Sequence, residues 1–282
     1  MSDRALREGR VEVGSIGAPS LEAGPADSAE AVLFVHGNPG SCRDWEDLVG
    51  RTGGAGIRAV AFDLPGFGRA DKPPEFPATV PAYAQFIEGA RRQLGLERVH
   101  LVVHDFGGPF GLTWAAEHPE AFASAVIVNA PPVAGYRWYP LAHVWRTPLA
   151  GELLHLTLVK PTFVLLARRG HPRGLPRSFL DRMWRDYDRG TRRAVLKLYR
   201  STDARRMSPA PPSAFRELDR PALVVWGMHD AYIPTRFALQ HKEAFPSATF
   251  VKLPDSGHFP MADDPERLAA AVLPFLLKVA EG

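Results

Sequence analysis

A single cysteine, Cys42, stands among 282 residues. No intrachain disulfide and no cysteine-built zinc site can form, and such sparing use fits a reducing compartment. Long apolar runs are missing as well: no stretch approaches the roughly 18 residues that cross a bilayer. The first thirty residues are rich in Ala, Gly and Glu and hold no apolar core of the kind found in signal peptides. The expectation is a cytoplasmic chain with no membrane partner. Acidic residues are scarce in one region. Residues 131–216 carry 17 of the 34 Lys+Arg against five of the 31 Asp+Glu, a surplus of 12 positive charges in a chain whose net charge is +3. No nucleic-acid motif accompanies this basic region, and many of its arginines fall where a helix faces solvent. It reads as a solvated surface, with no nucleic-acid partner.

What is present is a rhythm. After a short edge strand at Val11–Val13 and a Gly/Pro-rich turn, apolar runs alternate with helical patterns. Ala31–Val35, Ile57–Phe62, Val99–Val103 and Ala125–Val128 read as buried strands, and Val80–Leu94 and Phe110–His118 as helices. From about Pro131 to Arg216 the alternation stops. Tryptophans, arginines, prolines and helix-like segments such as Phe179–Arg206 take over. It resumes with strands at Pro221–Trp226 and Ala248–Leu253 and ends in an amphipathic helix over Pro265–Val279. This order predicts an α/β fold with a mostly parallel, doubly wound sheet and an inserted helical cap. The expected division is a core over 1–130, a cap over 131–216 and the rest of the core over 217–282.

Chemistry concentrates where strands end. The run Val99–Val103 stops at His104-Asp105-Phe106, and Gly107-Gly108 open the next helix. Strand, sharp turn and helix with small residues after the turn is the layout of a nucleophile elbow, with Asp105 where Ser commonly stands and Val103 in place of the first Gly. The bland alternative is a strand-end Asp that caps the following helix. Asp230 and His258 likewise follow predicted strands, in the chain order nucleophile, acid, histidine.

The stretches His36-Gly-Asn-Pro39, Asp63-Leu-Pro-Gly-Phe-Gly68, Val103-His-Asp-Phe-Gly-Gly108, Trp226-Gly-Met-His-Asp230 and Ser256-Gly-His258 resemble the motif set of the α/β-hydrolase superfamily. The Asp at the elbow is similar to the haloalkane dehalogenase, epoxide hydrolase and fluoroacetate dehalogenase branches. The resemblance implies Asp105, Asp230 and His258 as catalytic residues, with the backbone N–H groups of Asn38 and Phe106 as an oxyanion hole.

A carboxylate is charged at neutral pH and can displace a leaving group from saturated carbon, whereas attack on an ester would give a reactive anhydride. Halides and epoxides are therefore the favoured substrates. His258, oriented by Asp230, would activate water against the resulting ester. The expected partners are a small apolar organic substrate and water, with no cofactor. His36, His104 and His258 fall on separate loops without metal-ligand spacing, so no metal is expected.

His36-Gly-Asn-Pro39 resembles the haloalkane dehalogenases, which implies that the Asn38 side chain binds a departing halide. Phe106 offers no N–H where that family carries Trp, leaving Trp138 or Trp145 of the cap as second donors. Haloalkane dehalogenase is the first expectation. Epoxide hydrolase is the alternative: Tyr199-Arg-Ser-Thr202 resembles the second of its two cap tyrosines, with Tyr136 and Tyr139 as candidates for the first. Phe106 argues against a fluoroacetate dehalogenase, which carries Arg there. A third possibility is an α/β-hydrolase homologue that binds ligand without turnover. Asn129 stands where some dehalogenases place their acid, but it cannot ionise. Cys42 reads as a loop residue.

Overall fold

The structure, a computed structural model, describes residues 6–281. The chain opens with two strands, β1 (Arg7–Val13) and β2 (Ile16–Ala23), paired as a hairpin in which Val13 faces Ile16. Gly14 makes the turn at φ +60°, a conformation that favours glycine. β2 is not evident in the sequence, because Gly17, Pro19 and Ser20 break its apolar pattern. It forms because it pairs on both sides.

β3 (Glu30–Val35) leads through a short turn of helix at Cys42–Trp45 into α1 (Glu46–Gly54). Neither helical piece is signalled in the sequence. Cys42 is buried there, not on an open loop; its N–H donates to Asp63 Oδ1 at 2.7 Å, and burial, then the Asp63 charge, push its thiol pKa up. β4 (Ala59–Phe62) and α2 (Val80–Gln93) follow, α2 starting where the Thr79 hydroxyl accepts the Ala82 N–H at 3.3 Å. Next come β5 (Arg98–His104), α3 (Gly107–Glu117) and β6 (Phe122–Val128).

Six helices then stand between β6 and the next strand: α4 (Pro140–Arg146), α5 (Ala150–Thr157), α6 (Lys160–Ala167), α7 (Arg177–Asp186), α8 (Arg189–Ser201) and α9 (Pro212–Leu218). The helical span expected over Phe179–Arg206 is two helices, not one. Tyr187 leaves helical geometry, and the Asp188 carboxylate accepts the Thr191 N–H at 2.9 Å to restart the chain as α8. β7 (Ala222–Gly227), β8 (Thr249–Leu253), α10 (Pro260–Asp263) and α11 (Pro265–Ala280) complete the fold.

The eight strands form one sheet in the order β1-β2-β4-β3-β5-β6-β7-β8. β2 runs antiparallel to β1 and β4, and every pairing from β4 to β8 is parallel. β3, β5, β6 and β7 are buried on both faces, which is why each reads as a continuous apolar run. The α4–α9 segment is tied to the sheet-bearing core by Lys72–Asp188 at 2.7 Å, Arg182–Asp44 at 2.6 Å and the buried pair His171–Asp263 at 2.6 Å. Among the described residues no single helix is long and apolar enough to cross a membrane.

Candidate active site

Asp105, Asp230, His258 and Asn38 all lie just beyond the carboxyl ends of parallel strands, where open α/β sheets gather ligand-binding groups. Asp105 directly follows β5 at φ +49°, a left-handed conformation for a non-glycine residue that costs about 1–3 kcal/mol and turns its carboxylate out of the strand. Two glycines make the bend possible. A Cβ on Gly107 would lie 2.3 Å from the Val35 carbonyl oxygen, and one on Gly37 would lie 2.3 Å from the Asp105 Cβ.

The two oxygens of Asp105 have different surroundings. Oδ1 accepts the Asn38 N–H at 2.7 Å, and the Phe106 N–H also serves the carboxylate. Oδ2 lies 3.7 Å from His258 Nε2, beyond hydrogen-bond reach. On the other side of its ring, His258 Nδ1 donates to Asp230 Oδ2 at 2.8 Å. The remaining oxygen of Asp230 accepts the N–H groups of Tyr232 at 2.7 Å and Ile233 at 2.8 Å.

Burial raises the Asp105 pKa, opposed by the His258 charge and the two backbone N–H groups; the net shift is upward from 3.8. For His258, burial works downward, but the Asp230 charge and hydrogen bond and the Asp105 charge outweigh it. The net shift is upward from 6.5. His104 packs against His258 with ring centroids 4.7 Å apart, and its Nε2 donates to the His258 carbonyl at 2.7 Å. Burial and the neighbouring His258 push its pKa well down, so it stays neutral. His36 fixes the Asn38 turn: its Nδ1 donates to the Gly37 carbonyl at 2.9 Å and its Nε2 accepts the Leu64 N–H at 3.0 Å.

Above Asp105 opens a narrow, mostly apolar cavity. Asn38, Asp105 and His258 form its floor, and Leu141, Leu154, Leu158, Phe163, Leu166 and Met183 of α4–α7 and their links form most of its wall. Polar groups on the wall are few. Tyr139 and Trp145 line it, and the indole N–H of Trp145 is buried with no hydrogen-bond partner. The Tyr139 hydroxyl sits 2.8 Å from that of Tyr199, which lies 3.4 Å from Asn38 Nδ2. Burial holds both tyrosine pKa values well above 10, reinforced at Tyr139 by Tyr199 and at Tyr199 by the Asp105 charge, so both stay protonated.

The structure thus gathers Asp105, Asp230, His258 and Asn38 with the Phe106 backbone N–H. It separates the two tryptophans considered as donors. Trp138 is not on the cavity wall; it packs on Phe106 with ring centroids 6.0 Å apart and on Tyr199 at 5.0 Å, under the Arg146 guanidinium. Tyr199 backs the wall through Tyr139 and is not a lining residue itself. Tyr136 donates its hydroxyl to the Tyr232 carbonyl at 3.1 Å. Tyr232, whose ring lies 5.0 Å from that of His258, has no sequence signal; Asn129, noted in the sequence for its position after β6, supports Asp230 at 2.8 Å.

A protein-family model described as alpha/beta hydrolase fold matches residues 30–265. The chain is 27% identical to a cis-3-alkyl-4-alkyloxetan-2-one decarboxylase of Xanthomonas campestris pv. campestris, an alignment that covers 91% of each chain. It is 37% identical to a haloalkane dehalogenase of Psychrobacter cryohalolentis over 110 residues, 39% of this chain and 36% of that one. In structure it is similar to the haloalkane dehalogenase DbeA of Bradyrhizobium elkani, with a TM-score of 0.81 at 21% identity, covering 98% of this chain and 99% of the other.

Proposed function

The chain belongs to the α/β-hydrolase fold family and is a hydrolase, and we propose that it opens a strained oxygen ring, an epoxide, through a covalent ester on Asp105. The observation that carries this reading is the pair of buried hydroxyls, Tyr139 and Tyr199, 2.8 Å apart at the wall of the cavity that holds Asp105. An oxygen that leaves carbon as an alkoxide needs a proton, which a departing halide does not. A phenol beside the cavity, supported by a second phenol, supplies one. The Xanthomonas relative, which matches over nearly its whole length, is named for a substrate that is itself a strained oxygen ring.

The two oxygens of Asp105 divide the work. Oδ1, already held by Asn38 N–H, becomes the carbonyl oxygen of the ester. Oδ2, free of hydrogen bonds from His258, attacks a ring carbon in line with the carbon–oxygen bond. That bond breaks, and the released oxygen takes the Tyr139 proton, with the Tyr199 hydroxyl stabilising the phenolate. His258 then removes a proton from water, and the hydroxide adds to the ester carbonyl. Negative charge develops on Oδ1, where the Asn38 and Phe106 N–H groups stabilise it. Collapse releases a vicinal diol and regenerates the Asp105 carboxylate, and the proton on His258 returns through solvent to Tyr139. Atoms and charge balance as epoxide plus water giving diol.

A halide substrate is the second reading. It is favoured by Asn38 and Trp145, which both line the cavity and carry neutral donors suited to a halide, the Trp145 N–H having no hydrogen-bond partner. The test is turnover of 1,2-epoxyhexane, styrene oxide and 1-bromohexane, with diol and bromide measured separately. Diol formation with little bromide release supports the epoxide reading. Bromide release without diol formation replaces it with the dehalogenase reading.

A further inference from the structure

The α5–α6 pair is apolar on two opposite sides. Inward, Leu154, Leu158, Phe163 and Leu166 line the cavity above Asp105. Outward, Leu149, Leu153, Leu156, Val159 and Leu165 are 81, 60, 82, 55 and 73% exposed. Leu149, Leu153 and Leu156 follow the spacing that places side chains on one helical face. Packing against a protein interior requires one apolar face. The second has no partner among the described residues, and five of their eight large exposed apolar side chains lie in this one span of 17 residues.

The surroundings of this ridge are cationic. Arg168 and Arg169 follow α6, and Arg189 opens α8; all three are exposed, and none has a carboxylate within 4 Å among the described residues. Nearby acids are already paired: Glu152 with Arg200, Asp188 with Lys72 and Asp181 with Lys160, at 2.7 to 2.8 Å. Leu153 and Leu156 share a broad groove with Arg189 and Arg193. A second copy of the chain is a poor occupant, because it would bring one region with a surplus of 12 positive charges against another.

We propose that the outer face of α5–α6 docks on an anionic lipid bilayer. The leucines enter the interface and the free arginines meet headgroup phosphates. An apolar substrate dissolved in the bilayer then reaches the cavity past the same helices whose inner side forms its wall. This departs from the expectation of a purely solvated cap surface. It rests on the exposed face and the cavity wall, and does not depend on which leaving group Asp105 displaces.

The test is flotation of the full chain with vesicles of phosphatidylcholine alone or of equimolar phosphatidylcholine and phosphatidylglycerol, at low and high salt. The protein is expected to float with the anionic vesicles at low salt and to be released by salt, which screens the headgroup attraction. Binding should fall about tenfold or more in Leu153→Asp/Leu156→Asp and, separately, in Arg168→Glu/Arg189→Glu. These side chains are exposed and stand off the cavity wall, so unchanged circular dichroism and melting confirm that both variants fold. The proposal is overturned if the wild type does not float, if it floats equally with neutral vesicles, or if the folded variants float as well as wild type. It is also overturned if the wild type is a dimer that Leu153→Asp/Leu156→Asp dissociates, since the face would then be an interface between copies.

Discussion

Asn129 Nδ2 donates to Asp230 Oδ2 at 2.8 Å, the same oxygen that accepts His258 Nδ1 at 2.8 Å. Asn129 holds this position from the end of β6 at φ +41°, and its own oxygen accepts the Gly227 N–H at 2.8 Å, joining the ends of two strands. It is a positioning residue, acting on His258 through Asp230. Asn129→Ala removes one hydrogen bond to a charged group, worth a rate factor of about ten to a hundred. The expected loss is in kcat, with KM falling alongside it so that kcat/KM holds, because the loss falls on ester hydrolysis after substrate is covalently bound. Rapid-quench measurements should then show a burst of ester intermediate that wild type does not accumulate. A rise in KM at constant kcat would assign Asn129 to substrate binding.

The tyrosine pair separates the two substrate classes. Tyr139→Phe should slow diol formation by a factor of about 10² to 10⁴, the range for a general acid. Tyr199→Phe should give a smaller loss, since its hydroxyl supports Tyr139 and does not line the cavity. Bromide release from 1-bromohexane, where it occurs, should be unaffected by either change and reduced by Trp145→Phe. Equal losses on epoxide and bromide in both tyrosine variants would make the pair structural.

The pH dependence follows from the net upward shift of His258. On the proposed mechanism ester hydrolysis requires neutral His258, whose charged form the Asp230 carboxylate stabilises, so kcat should fall as pH drops and His258 takes up a proton. Alkylation requires charged Asp105, whose pKa is also shifted upward, from a much lower ordinary value. Where His258 is protonated while Asp105 is still charged, the enzyme should react once and then stall with the ester formed. Steady-state kcat and single-turnover alkylation, measured side by side across pH, should therefore show two separate acid limbs. Coincident limbs would contradict the division of labour between Asp105 and His258.

Much of the candidate site was legible because most of its residues follow buried parallel strands. β5 and β7 have two covered faces and appear as unbroken apolar runs, so Asp105 and Asp230 stand out soon after them. His258 instead follows β8, a half-uncovered edge strand, and stands out through its Ser256-Gly257-His258 turn. The hairpin partner β2 was not legible, since its glycine and proline suppress the alternating pattern and pairing on both sides holds it. The helical insertion was hardest. Tyr139 and Tyr199 are 60 residues apart, and nothing local announces that their hydroxyls meet. Trp138 and Trp145 are the same residue type seven apart, yet their environments differ. Trp145 lies within α4, which turns it to the cavity, while Trp138 precedes the helix and packs behind Phe106. Only the start of α4 at Pro140 separates them.

The central claim is that Asp105 forms a covalent ester which His258 is needed to break, and intact-protein and peptide mass spectrometry of His258→Phe tests it most directly. The first step needs only the Asp105 carboxylate, so incubation with 1,2-epoxyhexane should leave an adduct on the peptide that contains Asp105. The mass gained should equal the whole epoxide, because nothing leaves, and no diol should form, since diol appears only when the ester is hydrolysed. With a halide substrate the gain would be the alkyl group alone, with one halide released per enzyme. A folded His258→Phe protein that never acquires an adduct at Asp105 from a compound that wild type turns over would contradict the account.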